Sequence, residues 1–409
     1  MSKLDELIKT LCPDGVKYKK VKDVILSLKT GLNPRQNFVL NSAGSFLPYI
    51  TGKDIYDNKV NISEKTDLIT KDALTIINKR AQLKDDLLLF ASTGTGTVGR
   101  MAIINEYHNN WGISETLYAI DVNKNFIITK YLMYVLYSSY ARNQFEPKIS
   151  KGSVPHLKVN DLLNVTMPVP PMEVQREIVR ILDNFTELTA ELTAELTARK
   201  KQYEYYRNIL FKFDENNNKI KRLTLGVIGK VSMCKRILKA ETSPNGEVPF
   251  YKIGTFGKEP DAYITYDKFV EYKSKFSYPK KGDILISASG TIGRTVVYNG
   301  EPAYYQDSNI VWLAHDESVV LNKYLYYYYQ LQPWNVSTGG TIARLYNDNI
   351  AKAKICVPSI TEQERIVSIL DRFDALCNDI SVGLPAEIEA RKKQYEYYRD
   401  KLLTFKEAI

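Results

Sequence analysis

The hydrophobic positions of this chain change period in a fixed order, and they do so twice. From about Lys17 to Ile120, short runs rich in β-branched and aromatic residues (FLPYI, LLLFAS, MAII, TLYAI) alternate with turn clusters of Gly, Asn, Asp and Ser, which predicts an irregular mixed module built on short strands. The pattern turns helical at ITKYLMYVLY (128–137), with Thr129 as the expected N-cap. After Pro171, residues 172–213 contain neither Gly nor Pro and carry Ile178, Ile181, Leu182, Phe185, Leu188, Leu192, Leu196 and Leu210 at helical spacing, so one long helix is expected. At about 1.5 Å per residue it would span roughly 63 Å, more than a small domain needs. From Lys221 to Leu313 the strand-like runs return (VPFYKI, DILISAS, TVVY, NIVWLA), followed by LNKYLYYYYQ (321–330) with Asn322 as N-cap and a second helical stretch, 360–406. Gly383 and Pro385 should interrupt that stretch near 382–385, and by symmetry a bend is expected in the first helix near 185–188.

The echo is also literal. ARKKQYEYYR occurs at 198–207 and again at 390–399, and VPPMEVQREIVRILDNF (169–185) matches VPSITEQERIVSILDRF (357–373) at nine of seventeen positions. The modules ahead of these helices match only in scattered places. A duplication that holds its helices while its modules diverge describes a fixed frame carrying two different readers. The expected fold class is α+β: two pseudo-symmetric mixed α/β modules, 1–168 and 214–356, separated by two long antiparallel coiled-coil-like helical regions, 169–213 and 357–409.

Composition adds limits. The chain has 409 residues, ordinary hydrophobic content and a formal charge of +9, which leans towards a polyanionic partner without identifying one. Cys12, Cys234, Cys356 and Cys377 form no CxxC pair and have no His cluster nearby, so neither a zinc site nor a disulfide framework is indicated. The opening MSKLDELIKTLCPDG lacks a signal-peptide core and no window approaches 18 apolar residues, so a soluble cytoplasmic protein with no membrane association is expected.

Three stretches carry candidate chemistry. TGTGTVG, with Gly94, Gly96 and Gly99, formally satisfies a dinucleotide fingerprint, but its duplicate ASGTIGR keeps only Gly290 and Gly293 and leads into β-like sequence. A tight turn between two strands is the better reading, placing Arg100 and Arg294 just past each turn, within reach of phosphate or a guanine edge. Asp261, Glu271 and Lys273 have the residue types of a metal-dependent nuclease, yet nothing in the first half matches them. The sequence contains no phosphate-binding GxxxxGK[ST] loop and no Asn-Pro-Pro-Tyr or Asp-Pro-Pro-Tyr. Finally, KISKGSVPHL (148–157) and VSTGGTIARL (336–345) each bring Gly, a hydroxyl residue and then His156 or Arg344 ahead of the constant helix, suited to phosphate approach and base-edge hydrogen bonding. The Tyr326–Tyr329 run is expected in a core, and the basic, Tyr-rich decapeptides in helix pairing and subunit contact.

The paired QxxIVxILDxF segments from Gln175 and Gln363, the paired RKKQYEYYR segments, the LCPDGVKYKKV opening and the Thr-Ala-Glu-Leu run at 189–196 resemble the specificity subunit of type I restriction-modification enzymes over essentially the whole chain. The resemblance implies two target recognition domains, each reading one half of a bipartite asymmetric site in double-stranded DNA, with the helices setting the gap. It implies no catalysis in this chain. Two modification subunits would methylate adenine with S-adenosylmethionine, and restriction subunits would use ATP and Mg. The base-reading candidates are Arg100, Lys151 and His156 in the first domain and Arg294, Gln306, Asn309 and Arg344 in the second. Spacer and subunit-contact candidates are Gln175, Leu188, Leu192, Leu196, Tyr203, Tyr206, Gln363, Tyr395 and Tyr398. The alternatives are a standalone nuclease using Asp261, Glu271 and Lys273, and a coiled-coil scaffold with no DNA role.

The run TELTAELTAELTA (186–198) has a four-residue period inside a helix. Four residues add about 6 Å and rotate the rest of the helix by about 40°, a stutter that packed helices absorb by local unwinding. The second half is already longer here, with 19 positions from Asp371 to Ala390 against 15 from Asp183 to Ala198. DNA rises about 3.4 Å per base pair. Adding or deleting one Thr-Ala-Glu-Leu unit should therefore lengthen or shorten the unread spacer by one base pair and preserve both half-sites; methylation mapping that finds the spacer unchanged would refute a ruler.

Overall fold

The computed structural model describes residues 2–104, 110–336 and 344–408, and the chain forms two compact units. The first is Met1–Leu192 together with Ile388–Ile409, and the second is Thr193–Glu387.

In the first unit, a four-stranded antiparallel sheet runs in the order Ile25–Thr30, Leu117–Val122, Leu88–Ala91, Met101–Ile103. Beside it lies a three-stranded sheet, Asp67–Ile69, Leu47–Ile50, Gly112–Ile113, whose last pairing is parallel. Tyr18–Lys20 pairs with Thr166–Pro168 and leads the chain to the long helix. The second unit repeats this plan: Lys230–Met233, Ile310–Ala314, Ile284–Ser287, Thr295–Val297 in one sheet, Tyr263–Ile264, Val248–Tyr251, Tyr304–Tyr305 in the other, and Lys221–Thr224 paired with Lys354–Val357. The central strands Leu88–Ala91 and Ile284–Ser287 are buried at every position, as expected of strands covered on both faces, and they explain the unbroken apolar runs in the sequence.

The first constant helix is continuous from Met172 to Leu210. The second breaks where Gly383 and Pro385 lie, into Ile360–Asn378 and Leu384–Leu402. Asp379 Oδ1 accepts from the Ser381 and Val382 N–H groups at 2.7 and 3.2 Å, and a Cβ at Gly383 would lie 2.4 Å from the Ala375 carbonyl oxygen, so only glycine fits this tight return.

Thr129 and Asn322 are not the N-caps; they are the first residues of helices Thr129–Tyr137 and Asn322–Tyr329, and the cap positions are the apolar Ile128 and Leu321. An apolar cap side chain cannot accept a bond from the first turn; in the second unit Glu317 Oε2 accepts from the Asn322 N–H at 2.7 Å, and in both units a glutamine takes the N–H of the cap residue itself. Gln175 Oε1 accepts from the Ile128 N–H at 3.0 Å, and Gln175 Nε2 donates to the Phe126 and Pro170 carbonyls, both at 2.8 Å. Gln363 does the same for the Leu321 N–H (2.9 Å) and the Val319 and Pro358 carbonyls (2.9 and 3.0 Å). Two turns further along each long helix, Asp183 accepts from Tyr134 Oη at 2.5 Å and Lys130 Nζ at 2.8 Å, and Asp371 accepts from Tyr327 and from Lys323. Burial, reinforced by the adjacent aspartate, pushes both phenols up, so they remain donors. These contacts account for the lysine and the tyrosine four residues on that the two helices share, while the tyrosines next to those lysines, Tyr131 and Tyr324, donate to Pro168 O at 3.3 Å and Cys356 O at 2.7 Å.

Each decapeptide packs in the unit that contains the other repeat's helix start. In the first unit Phe185 stacks on Tyr398 (centroids 5.4 Å apart), and in the second Phe373 stacks on Tyr206 (5.5 Å).

Removing Gln175 or Gln363 would break three bonds, of which the one to the Pro170 or Pro358 carbonyl is buried and the other two are part-buried. A buried orphan costs about 1–3 kcal/mol, so Gln175→Ala and Gln363→Ala should each destabilise the chain by about 1–3 kcal/mol in denaturant unfolding. Gln175→Glu should not rescue, because a carboxylate cannot donate to the two carbonyls. A loss under about 1 kcal/mol would mean that these glutamines do not latch the helices.

Candidate nucleic-acid interface

Three backbone segments converge at one place in each unit. The first is the glycine turn between paired strands, where Gly94, Gly96 and Gly99, and then Gly290 and Gly293, all have positive φ. Each turn leads into a β-strand, so there is no helix N-terminus to receive a pyrophosphate. The second is the short connection into the central strand, Ser114–Thr116 or Gln306–Asn309. The third is the loop before the constant helix, which crosses beneath the glycine turn: the Leu157 N–H donates to Ser92 O at 2.8 Å and the Leu345 N–H to Ala288 O at 2.9 Å.

These bonds put the two units in register. Ser92 also donates its N–H to Thr116 O (2.8 Å), and Ala288 to Asn309 O (2.7 Å). His156 therefore occupies the place of Arg344, Thr116 that of Asn309, and Ser114 that of Gln306. The second connection is one residue longer, and the extra residue, Ser308, sits at φ 59°, a left-handed conformation that a serine holds only when its surroundings impose it.

The predicted residues divide by what they already hold. Arg100 Nη1 donates to Ile55 O at 3.3 Å, and Arg294 Nη1 to Phe256 O at 2.9 Å; both clamp the strand-to-loop segment across from their own turn. His156 Nδ1 lies 2.7 Å from Thr93 Oγ1, which ties its loop to the glycine turn. Lys151 is exposed in that loop. Gln306, Asn309 and Arg344 come together on the wall of a single cleft of about 690 Å³, with Arg236, Lys239, Lys252, Asp261 and Asp307 around them. Gln306 Oε1 accepts from the Ile253 N–H (2.9 Å), Asn309 Oδ1 accepts from Ser289 (2.8 Å), and Arg344 Nη2 donates to Ser308 O (3.2 Å). The amide nitrogens of Gln306 and Asn309 are left as donors. Most of the 336–345 stretch, residues 337–343, lies outside the described residues.

Sequence reasoning missed Arg236 and Asp307, which form an ion pair at 2.8 Å in this cleft. No motif marks either one; an acid at the equivalent place in the first unit, Glu115, was the available signal, and there it accepts from Tyr49 and Ser114.

The nuclease-like trio does not assemble. Asp261 pairs with Lys252 (2.9 Å), Glu271 with Lys275 (3.0 Å), and Lys273 lies over the rings of Phe269 and Tyr278. Among the described residues no group of three or more His, Cys, Asp or Glu is placed to hold a metal. Nor is any helix among them long and apolar enough to cross a membrane.

The spacer and contact candidates divide into side chains packed within the chain and side chains that face outward. Gln175 and Gln363 are fully buried and Tyr203 is 6% exposed, so these three act inside the chain and present no docking surface. Tyr395 and Leu196 pack as half-buried residues on their own units' cores, Leu192 is also half-buried, and Tyr206 and Tyr398 stack on Phe373 and Phe185. Leu188 faces outward. The outward face of the decapeptides was overlooked: Tyr205 and Tyr397 are each 61% exposed, and Lys200, Lys201 and Glu204 are exposed, as are Lys392, Lys393 and Glu396.

The chain is a duplicated mixed module, each copy latched to a long helix and carrying a polar edge whose side chains differ between the copies. The family model described as type I restriction modification DNA specificity domain matches residues 13–199 and again 217–390, and the chain belongs to that family. A putative type I restriction enzyme specificity subunit of Haemophilus influenzae is 55% identical over 278 residues, 66% of this chain and 71% of that one. The specificity subunit of the type I restriction enzyme EcoR124I/EcoR124II of Escherichia coli is 35% identical over 292 residues, 66% of this chain and 70% of that one. Two solved structures share the fold. One, from work on complex assembly and conformational transition of the type I R-M system, has a TM-score of 0.64 at 19% identity and covers 96% of this chain and 98% of that one. The other, a type I S subunit from M. genitalium, has a TM-score of 0.52 at 14% identity, covering 95% and 96%.

Proposed function

We propose that this chain is the DNA-reading specificity subunit of a type I restriction-modification complex, in which each unit reads one half of a bipartite, asymmetric site. The observation that carries this is the contrast between frame and edge. Where the units latch to their helices, Gln175, Asp183, Lys130 and Tyr134 recur as Gln363, Asp371, Lys323 and Tyr327 with the same bonds. At the convergent edge, equivalent places hold His156 and Arg344, Ser114 and Gln306, Thr116 and Asn309. Base edges are told apart by donor and acceptor patterns, so two readers of different sequences need different side chains on one backbone plan.

The chain has no catalytic role in this reading. Two copies of a modification subunit dock on the frame, which explains why the outward Lys-Lys-x-x-Glu-Tyr face of the decapeptide recurs along with its buried face. These subunits use S-adenosylmethionine; restriction subunits use ATP and Mg; and the assembly acts on cytoplasmic DNA. The separate engagements of Asp261, Glu271 and Lys273 disfavour the nuclease reading.

The purified chain should show no methyltransferase, nuclease or ATPase activity, and Mg-dependent cleavage abolished by Asp261→Ala would establish the nuclease instead. Exchanging residues 1–160 for those of a relative should change one methylated half-site and leave the other intact; methylome sequencing that shows both altered would mean the units do not read independently.

A further inference from the structure

An arginine reads guanine by directing two N–H donors at O6 and N7 in the major groove, so a guanidinium whose terminal nitrogens are uncommitted binds without breaking a bond. Residues 214–356 contain four arginines. Three have a terminal nitrogen on a backbone carbonyl: Arg222 Nη2 on Asp214 O at 2.9 Å, Arg294 Nη1 on Phe256 O at 2.9 Å, and Arg344 Nη2 on Ser308 O at 3.2 Å. Arg236 differs. Its Nε donates to Asp307 Oδ2 at 2.8 Å, its side chain is 65% exposed while Asp307 is 16% exposed, and it lines the cleft with Gln306, Asn309 and Arg344. Asp307 therefore fixes the guanidinium from behind and leaves Nη1 and Nη2 as the outward fork. Asp307 is itself fixed, because the Gln306–Asn309 connection has one residue more than its counterpart and turns through left-handed Ser308, whose carbonyl Arg344 holds.

The first unit has no such pair. Thr30 pairs with Tyr118 as Met233 pairs with Val311, which places Asn33 at the position of Arg236, and Asn33 Oδ1 caps the adjacent turn by accepting from the Arg35 N–H at 2.9 Å.

We propose that Arg236 reads a guanine in the half-site of the second unit, with Asp307 as the residue that positions it and Arg344 as the residue that holds the turn. This rests on the DNA-reading function of the chain. The test uses the full chain assembled with its modification subunits, carrying Arg236→Ala, Arg236→Lys or Asp307→Asn. Methylome mapping is combined with binding to duplexes substituted at each G·C pair of the second half-site. Wild type should discriminate at one G·C pair by about ten- to a hundredfold. Arg236→Ala and Arg236→Lys should both reduce that to within about twofold, with the lysine variant keeping the overall charge, and Asp307→Asn should fall between. The first half-site should be unchanged throughout. Arg236→Lys unfolding at the wild-type temperature would exclude misfolding as the cause. Uniform weakening on all sequences, with a salt slope lower by about one, would make Arg236 a phosphate contact and overturn the proposal. So would full discrimination retained in Arg236→Lys, or a second half-site without guanine on either strand. A wild-type complex that methylates no bipartite site would remove the function beneath the proposal, and no variant is needed to see it.

Discussion

Each reader is joined to its long helix through one glutamine side chain with no exposed surface, and the rest of the architecture depends on how that side chain must be satisfied. A buried amide needs both its carbonyl and its amino group paired. Gln175 and Gln363 achieve this by capping a helix of the reader with the oxygen and joining the preceding loop to the start of the long helix with the nitrogen. The arrangement fixes the direction in which the long helix leaves the module. The lysine–tyrosine–aspartate contacts two turns on then fix its rotation. Neither constraint tolerates drift, so these residues recur, whereas the edge on the far side of the central sheet is free to vary in both chemistry and length.

That separation explains how one backbone plan serves two recognition tasks. The glycine turns, the strand connections and the loops ahead of the helices keep their hydrogen bonds from unit to unit. Side chains can then change without moving the frame: a histidine tied to a threonine in one unit, an arginine holding a strained serine turn in the other. The additional residue at Ser308 is the largest departure, and it lies in the wall of the cleft, where the second unit gathers several of its charged groups.

Much of this was legible in the sequence because it depends on period and repetition. The strand runs, the long helix, the break at Gly383 and the duplication are all local signals. What escaped was non-local. The helix caps were misplaced by one residue at Thr129 and Asn322 because the acceptor for the Ile128 N–H lies 47 positions away at Gln175. Arg236 went unnoticed because what makes it distinctive is Asp307, 71 positions on. Arg100 and Arg294 were found from their turns, but their bonds to carbonyls 45 and 38 residues earlier could not be read from spacing. The buried roles of Gln175, Gln363 and Tyr203 were hidden by their polarity, which suggests surface until the partners are in place.

The composition of the first unit has a consequence for biogenesis. It is made of Met1–Leu192 and Ile388–Ile409, so its closing strip of structure, with Tyr395, Tyr398 and Leu403, is synthesised only after the whole of 193–387. The intervening 193–387 stretch takes roughly 10–40 s to translate at about 5–20 residues per second. Throughout that interval the nascent first unit carries an uncovered aromatic and aliphatic seam around Phe185, so a ribosome stalled late in the message holds a first unit whose N-terminal part is complete in sequence but unfinished in packing.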